Sequence, residues 1–499
     1  MLRQFWKTHS QECRLFLTVW LVYLINIAPI TGANENRYID LVRAIVDEGR
    51  FEIDTLHYNT IDKSYRDGHY YAGAAPGPAF LAIPGYLLYR LIEPRIPVDL
   101  FSQYDKNKYI RGYLKGTDAP DGFVQTYPFG RFIILHFLLT GLTCSLMAAL
   151  MTVALFRLFK AKGVDVRWSY GLALAFAFGT TVFFYSTRLY AHVLGTGFVF
   201  FAFYLLALPK TCLKPVPNQS IFWSGCFLGL AIASEYNVLP SVIAVGIYLL
   251  LTVRDRRVGF GFVGGVIPIL LLLWYHTVCF GGPFNTAYGL PNGLVDDGNH
   301  IHWNENFHGF GIPPLKHLWG LSFGFFRGIF WYVPLTILCF FGLGYLLQRN
   351  STFRLEGLTI VGIITGQLLF NAMMPPNYWF GGWDFGPRFL TPIIPFMMLG
   401  FIGILPLKSS IQSIFIGLGL VSFLINWAGV QYGPSDSLLI SVSYFMLSGP
   451  STPLFLFLKE YLGTYSTWAV TVSPWGIFLV VGVLLYITWC VIPEPKNEK

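Results

Sequence analysis

The sequence predicts an all-α polytopic membrane protein in which residues 1–499 form a single integral membrane domain. Of its 499 residues, 54% are hydrophobic and only 12% are charged, which is too apolar for a soluble globular protein. Apolar runs of membrane-spanning length recur along the chain, and we count about twelve of them. Lysine and arginine concentrate in the short loops between these runs, so the net charge of +8 reflects membrane orientation and does not indicate nucleic-acid binding.

The positions of the basic residues predict how the runs are oriented. Arg3, Lys7 and Arg14 flank the first run and place the N-terminus in the cytoplasm. The same rule, followed along the chain, places the C-terminus in the cytoplasm as well. The long polar loops that then fall outside are 33–130, 278–325 and 432–468. The predicted spans are 15–31, 131–156, 168–186, 191–208, 220–237, 239–253, 258–277, 329–347, 355–374, 389–406, 411–430 and 469–492.

Residues 76–92 do not fit the pattern of the other apolar runs. The segment is barely long enough to cross a bilayer, and Pro76, Pro78 and Pro84 interrupt it. If it crossed, the basic loop after span 131–156 would fall outside the cell, against the charge rule. We therefore predict a re-entrant or interfacial segment, and a short span remains the open alternative.

The first outer loop begins with an amphipathic helix. Apolar residues recur at helical spacing from Tyr38 to Val46, while charged residues such as Arg37 and Asp40 fall on the opposite face. Gly49 ends the pattern, as glycine commonly does after a helix. These features predict an interfacial helix that lies on the membrane surface.

Polar and charged residues that are unusual beside membrane spans all fall on the predicted outer side. A single site would gather such groups on one face of the membrane. Outer loops are also polar in general, and this plainer interpretation carries real weight for the region Asp296–Glu305. The remaining candidates are Glu35, Asp62, Asp67, His69, Tyr185, Arg188, His192, Glu235, Tyr236, Trp379, Trp383, Asp384 and Arg388.

The segment G-G-W-D-F-G-P-R-F-L predicts an anion site at the start of span 389–406. Pro387 is favoured in the first turn of a helix, where the partial positive charge makes Arg388 locally unfavourable. A lipid phosphate bound by Arg388 and the free backbone N–H groups would resolve this conflict. An ion pair between Asp384 and Arg388, four residues apart, explains the same residues equally well, and the two can coexist.

Two further outer-side residues have plain explanations beside functional ones. His192, at the start of span 191–208, is more readily explained as an interfacial histidine than as a ligand. Glu235, near the outer end of span 220–237, either snorkels to the interface or pairs with an arginine across the site. We favour pairing for Glu235.

The first outer loop holds the candidate base. Glu35 lies at the start of the amphipathic helix, close to the membrane exit, where a lipid-phosphate headgroup would be found. A carboxylate in the first turn that stabilises the helix dipole is the alternative for Glu35. Asp62, Asp67 and His69 are close in sequence and could bind a metal or an acceptor, but their spacing is no specific metal pattern, and a solvated turn explains them as well.

Several motifs resemble the GT-C membrane glycosyltransferases. N-E-N-R-Y (34–38), D-E-G-R-F (47–51) and G-H-Y-Y…P-G (68–77) are similar to the D-E-x-R-Y, G-D-W and G-x-x-Y-F-E-K-P-P patterns of one group. That group comprises the protein mannosyltransferases and the lipid A aminoarabinose transferases. G-T-T-V-F-F-Y-S-T-R-L-Y-A-H, S-E-Y and G-G-W-D-F-G-P-R look like an uncharacterised bacterial subgroup.

The resemblance implies a GT-C-like helical bundle with an outward-facing site. A carboxylate after the first span acts there as general base on the acceptor, while a polyprenyl-phosphate sugar loses its lipid phosphate with inversion. The leading aspartate of the group is Asn34 in this chain, so the role of base passes to Glu35 or to Asp40.

The second departure from the group concerns a cation. The lysine of E-K-P-P is replaced by alanine, Ala74 or Ala75 depending on the alignment. Arg37 or Arg388 is a candidate to compensate for it. Without compensation, the chain would bind the lipid without transferring sugar.

We interpret the sequence as a glycosyltransferase at the outer face of a bacterial plasma (inner) membrane, with acceptor and any divalent cation left open. We expect Glu35 to be the base, with Asp40 and Asp62 as catalytic alternatives. Asp62, Asp67 and His69 are expected supporting groups, Arg388 is the expected phosphate ligand, and Arg37 is an expected substrate-binding residue. The rings of Tyr70, Trp379 and Trp383 are expected to stack on the sugar. A transporter or flippase is disfavoured, because the spans carry little charge near their centres. A non-catalytic protein that binds a lipid-linked sugar would fit the missing lysine.

Overall fold

The structure is a computed structural model, and its description covers the greater part of the chain. The described residues are 9–102, 128–290, 311–349, 351–376, 378–382, 384–404, 409–433, 437–457, 459 and 474–491. The predicted candidates Trp383 and Asp296–Glu305 lie outside these residues.

The described residues are predominantly helical, as predicted. The helices are α1 (Ser10–Ile25), α2 (Ala33–Arg43), α3 (Gly77–Ile92), α4 (Phe129–Ala161), α5 (Val166–Phe178), α6 (Val182–Ser186), α7 (Ala191–Thr211), α8 (Asn218–Ser234), α9 (Leu239–Thr252), α10 (Val258–Phe280), α11 (Leu315–Ser322), α12 (Ile329–Tyr332), α13 (Cys339–Leu346), α14 (Arg354–Ala372), α15 (Ile394–Leu399), α16 (Ser409–Tyr432), α17 (Leu438–Ser448), α18 (Pro453–Phe457) and α19 (Pro474–Val491). The two strands are β1 (Lys63–Arg66) and β2 (His69–Ala72).

Five of the described helices are long and apolar enough to cross a membrane: α4, α7, α10, α14 and most of α16. Each coincides with a predicted span. The prediction of a multi-pass, all-α membrane protein is therefore confirmed, while the count of about twelve spans stays a prediction. A single large apolar cluster, which includes Tyr23, Phe156 and Phe396, packs most of these helices together.

The predicted spans 168–186 and 329–347 are each broken into two helices. α5 ends at Phe178, and the short α6 follows after a turn. α12 ends at Tyr332, because Pro334 has no backbone N–H to continue the helical hydrogen bonds. A 3₁₀ turn then leads into α13.

The predicted span 389–406 is a composite helix. Arg388–Ile393 and Gly400–Ile404 are 3₁₀ turns, and α15 joins them. Pro392 and Pro395 remove donors from this stretch, which accounts for the irregular hydrogen bonding. As expected, the helical structure begins directly after Pro387.

The predicted interfacial helix is present, but its charged face is not exposed. α2 continues through a wide π-helical turn and ends at Gly49, as expected. Arg37 and Asp40, placed on the outward face by the periodicity, are buried. The segment that follows α2 covers that face and satisfies the charges with Asp62 and Asn59. The prediction of a two-faced surface helix is wrong for this part of α2.

A β-hairpin interrupts the otherwise helical first loop. β1 and β2 pair in antiparallel register, with Lys63 opposite Ala72. Asp67 and Gly68 connect them with positive φ angles of 51° and 89°, and Asp-Gly is a favoured pair for such a two-residue turn. The all-α prediction overlooked this element.

The ambiguous segment 76–92 forms the sixteen-residue helix α3. A helix of this length spans about 24 Å, less than the roughly 30 Å hydrocarbon core of a bilayer. It packs between α2 and α4, with Pro84 inside it. The interfacial or re-entrant assignment fits this length and remains a prediction.

Candidate functional site

A cavity of about 370 Å³ lies where the segment that follows α1 meets the helical bundle. Its wall is assembled from α2, the segment before β1, the start of α7, the junction of α8 and α9, the end of α14 and the turn before α15. The polar and charged residues that line it include Asn34, Arg37, Asp62, His192, Glu235 and Arg388. Five of these residues were candidates from the sequence, and Asn34 marked a departure from the family motif.

Asp62 is held in the wall by its backbone. Its N–H donates to Thr60 Oγ1 at 3.0 Å, and Thr60 Oγ1 donates to the Ala33 carbonyl at 2.8 Å, which ties the segment to the start of α2. The Asp62 carbonyl accepts from Gly73 N–H at 3.0 Å. A Cβ atom on Gly73 would lie 2.7 Å from that carbonyl, so this close approach requires glycine.

Arg37 forms an ion pair with Asp62 at the cavity. One terminal nitrogen of the guanidinium contacts Asp62 Oδ2, and the other donates to the Tyr38 hydroxyl at 3.0 Å. The Asp62 side chain is 31% exposed, so the carboxylate stays accessible from the cavity. Arg37 Nε is buried and has no hydrogen-bond partner among the described residues.

His192 and Glu235 form a second pair in the wall. α8 ends at Ser234, and the backbone of Glu235 is extended, so its side chain leaves the helix to meet α7. His192 Nδ1 lies 2.8 Å from Glu235 Oε2, and Gly195 allows the close approach of the two helices. Glu235 is therefore paired, as the sequence analysis favoured, although its partner is a histidine and not an arginine.

Arg388 and Asp384 form a third pair. Arg388 Nη1 donates to Asp384 Oδ2 at 3.1 Å, and Asp384 Oδ1 accepts from the Phe385 N–H at 3.0 Å. Asp384 is fully buried behind the wall, whereas Arg388 lines the cavity. Arg388 Nε is buried and without a hydrogen-bond partner among the described residues. The predicted ion pair is confirmed, and spare donor capacity remains on the guanidinium.

Glu35 lies behind the cavity wall and does not line it. Glu35 Oε2 accepts from the Gly32 N–H at 3.0 Å, which is the capping role that the sequence offered as the alternative. The side chain is 2% exposed, and this burial raises the pKa of the Glu35 carboxyl to about 7, against the lowering effect of Arg188.

Asp40 is likewise buried behind the wall. Its Oδ1 accepts from Asn59 Nδ2 at 3.1 Å, and burial raises the pKa of the Asp40 carboxyl to about 7. Asn36, on the same helix, donates through Nδ2 to the Asn59 carbonyl at 2.7 Å. These bonds hold the segment that carries Asp62 against α2.

The hairpin candidates do not reach the cavity. Asp67 is 73% exposed at the turn and pairs with Arg66, while His69 contacts Asp54 at 2.7 Å. Tyr70 stacks on His57, with ring centroids 3.8 Å apart. The expected cluster of Asp62, Asp67 and His69 is therefore wrong, because the alternating strand geometry and the turn give each residue a different partner.

Two bundle candidates also lie away from the cavity lining. Arg188 donates to the Gly433 carbonyl at 2.9 Å and lies over the Phe184 ring. Trp379 stacks on His317 at 4.9 Å between centroids, so its face is already covered. The expected stacking of Tyr70 and Trp379 on a sugar has no support from their positions.

Sequence reasoning missed most of the aromatic lining. Tyr236 was a candidate from the sequence, whereas Tyr288, Phe370, Tyr378 and Phe389, which also line the cavity, were not. These four come from segments far apart in sequence, so no local pattern marks them. It also missed Arg327, which is buried and donates to the Gly382 carbonyl at 2.9 Å beside the loop of Asp384.

No group of three His, Cys, Asp or Glu side chains in the described part of the chain could hold a metal ion. The acidic and imidazole groups of the wall are instead engaged in pairs with cations or with one another. The chemistry that the described residues offer is that of positioned carboxylates, an imidazole and two guanidinium groups.

The sequence matches no protein-family model and no curated protein. Two crystal structures are similar to it, both of ArnT from Cupriavidus metallidurans. The structure bound to undecaprenyl phosphate has a TM-score of 0.49 and 16% identity, over 96% of this chain and 77% of that chain. The apo structure has a TM-score of 0.47 and 16% identity, over 95% and 75%. Both similarities are at low sequence identity.

Proposed function

We propose that this protein is a GT-C-type glycosyltransferase, which transfers a sugar from a polyprenyl-phosphate donor to an acceptor in the cavity described above. The observation that carries the proposal is the wall itself. Two arginines, Arg37 and Arg388, and two carboxylates, Asp62 and Glu235, converge on one space of about 370 Å³. Both termini are cytoplasmic in this proposal, and the cavity opens on the outer side of a bacterial inner membrane.

The two arginines are the proposed ligands of the donor phosphate. Both guanidinium groups border the cavity, and a phosphate oxygen there can accept hydrogen bonds from them. These two residues would also replace the family lysine, since Ala74 and Ala75 at its position are buried and carry no charge. As the phosphate leaves, its growing negative charge is stabilised by the same guanidinium groups.

Asp62 is the proposed general base. Arg37 holds one carboxylate oxygen, and the accessible carboxylate takes the proton of the acceptor group as that group attacks the sugar. The new bond forms at the anomeric carbon while the bond to the donor phosphate oxygen breaks, so the lipid phosphate departs with the electron pair and the configuration inverts. Glu35 is engaged in the cap of α2, so Asp62 takes the role first expected of Glu35.

His192 and Glu235 are the proposed sugar-binding pair. Glu235 accepts from His192 Nδ1 and so fixes the orientation of the imidazole ring. The other ring nitrogen can then bond to a sugar hydroxyl. Tyr288, Tyr378 and Phe389 provide aromatic faces of the kind that pack on sugar rings.

The test is transfer from a panel of radiolabelled polyprenyl-phosphate sugars by membranes that carry wild type, Asp62→Asn or Glu35→Gln. Asp62→Asn keeps the shape of the side chain and removes the base, and we expect transfer to fall by about 100-fold or more with donor binding retained. Glu35→Gln keeps an oxygen for the cap and should transfer nearly as well as wild type.

The other outcomes separate the alternatives. Loss of transfer only in Glu35→Gln would return the role of base to Glu35. Donor binding by wild type without turnover of any donor would favour a non-catalytic binding protein. Movement of the lipid-linked sugar across proteoliposomes without transfer would favour a flippase.

A further inference from the structure

A second cavity lies at the end of the helical bundle opposite the first. Two helices, α7 and α14, line the outer cavity near one end and this second cavity near the other. In α7, His192 lines the outer cavity and Lys210 lines the second, about 27 Å further along the helix. In α14, Phe370 lines the outer cavity and Leu355 lines the second. The end of α9 lines the second cavity through Leu251 and Thr252, and Tyr236 and Asn237, just before α9, line the outer one.

The separation is close to the thickness of a bilayer, so the two cavities belong to opposite membrane faces. Since the first outer loop closes the first cavity, the second faces the cytoplasm in the predicted topology. The loops that form it, between α7 and α8 and between α9 and α10, are among the basic loops used to predict that side.

Every charged residue that lines the second cavity is a cation. The four are Lys210, Lys214, Arg254 and Arg257, around a volume of about 380 Å³, and the described lining includes no acidic residue. They come from the end of α7 and from the two loops that follow α7 and α9, which are joined where Arg257 Nη1 donates to the Val216 carbonyl at 3.0 Å. A basic loop alone would scatter its charges over the surface, whereas these four border one cavity.

Two of the four cations are neutralised by the protein itself. Lys210 Nζ lies 2.7 Å from the buried Glu356 Oε1, which also accepts from the Tyr248 hydroxyl at 2.7 Å. Arg257 pairs with Asp255 at 2.9 Å. Both partners lie outside the lining, so the neutralised cations still border the cavity.

The other two cations have no acidic partner in the described part of the chain. Lys214 is in no ion pair there, and Arg254 donates only to the Leu251 carbonyl, at 3.2 Å. Two cations without an acidic partner on one cavity are an environment suited to a phosphate group.

We propose that this second cavity, at the cytoplasmic end of α7, α9 and α14, binds the phosphate group of an anionic ligand. Two sources share that chemistry: the headgroup of an anionic phospholipid in the cytoplasmic leaflet and soluble phosphate. Basic pockets between membrane helices on this side are suited to anionic headgroups. Leu251 and Leu355 in the lining provide apolar contacts that only a lipid would use.

The experiment compares full-length wild type with the double variant Lys214→Gln/Arg254→Gln, which removes the two cations that lack an acidic partner. Both side chains are exposed, so the fold should persist, and thermal unfolding in phosphatidylcholine nanodiscs checks this. The matched control is Arg167→Gln/Arg256→Gln, which removes two exposed cations from the same membrane face but outside the lining. The exchange Lys214→Arg/Arg254→Lys tests whether charge alone suffices.

The first measurement is the retention of phosphatidylglycerol by each protein in native mass spectrometry. The second is the rise in apparent Tm when phosphatidylglycerol or inorganic phosphate is added. Chloride at matched ionic strength is the control for the added phosphate. We expect wild type, control and exchange variant to retain the lipid, and the double variant to lose it several-fold. Protection of wild type by inorganic phosphate, lost in the double variant, would identify soluble phosphate as the source. Equal retention and equal protection in wild type and double variant would overturn the proposal.

Discussion

The wall of the 370 Å³ cavity and the layer of protein directly behind it use charged residues in opposite ways. In the wall, Arg37, Arg388 and Asp62 border the cavity. In the supporting layer, formed by Glu35, Asp40 and Asp384, carboxylates are sealed from solvent, and each accepts at least one hydrogen bond from its surroundings. Charged residues that look equivalent in sequence thus have two different roles. Those in the wall are available to a ligand, and those in the supporting layer hold the wall residues in position.

This division predicts different responses to substitution. Changes in the wall should reduce transfer with little effect on stability. Changes in the supporting layer should alter stability, or its pH dependence, before they alter chemistry.

The largest stability effect is expected from Asp384→Ala in the supporting layer. The substitution leaves Arg388 as a partly buried cation without its carboxylate, at a cost of about 3 kcal/mol in the free energy of unfolding. Thermal unfolding in detergent measures the effect. Asp384→Asn, which keeps an oxygen for the Phe385 N–H, should lose less, and equal stability of all three proteins would contradict the division.

Glu35→Gln should change how stability depends on pH. The pKa of Glu35 in the folded protein, about 7, lies above its ordinary value of 4.5, so its contribution to stability is present below about 4.5 and is lost as pH rises through 7. The loss is roughly 3 kcal/mol if the whole shift is realised. Wild type should therefore lose stability relative to Glu35→Gln between pH 5 and pH 8.

The measurement is the difference in apparent Tm between the two proteins across that pH range. Asp40→Asn is an internal comparison, because burial raises the pKa of Asp40 in the same direction. Parallel curves for wild type and Glu35→Gln would show that Glu35 does not titrate between pH 5 and pH 8.

Arg388→Lys tests the wall with the charge retained. Lysine can still pair with Asp384, but it lacks the planar fork that binds a phosphate through two donors. We expect the KM for the donor to rise about tenfold with a small change in apparent Tm. A fall in stability with an unchanged KM would move Arg388 from the wall to the supporting layer.

Asp67→Asn should have the smallest effect. Asp67 is exposed at the hairpin turn, where asparagine tolerates positive φ as well as aspartate does. Transfer should be unchanged, and the free energy of unfolding should change by less than about 0.5 kcal/mol. A large loss of transfer would mean that the hairpin turn contacts the acceptor.

The helices were predictable because composition and charge pattern act locally. Each of the five long apolar helices coincides with a run visible in the sequence. The breaks were less visible: Pro334 interrupts span 329–347 only because its missing N–H falls in the middle of the run. The Asp67-Gly68 pair did signal the hairpin turn, but the flanking strands are only four residues long.

The candidate site was predictable in part. Polarity on the outer face identified Asp62, His192, Glu235 and Arg388, all of which line the cavity. Polarity did not distinguish these four residues from Asp67. Tertiary contacts decide which side chains are exposed and which ones meet at the cavity, and the sequence does not show those contacts. The burial of Glu35 could not be predicted either. Helical periodicity indicates which face of the helix a side chain lies on, but it does not say which other segment packs against that face.

The wide turn at Gly141–Ser145 has a consequence for aligning this chain with others. A π-helical turn accommodates one residue more than an α-helical turn, so the buried face of α4 continues across it from Leu139 to Ala148 without rotating. The Gly141 carbonyl accepts from Trp20 Nε1 at 2.9 Å, which satisfies an oxygen at this irregular turn. A homologue whose helix is regular at this position would have one residue fewer. An alignment should therefore place a one-residue gap inside this turn. If the gap is left out, every position after the turn is aligned one residue out of register.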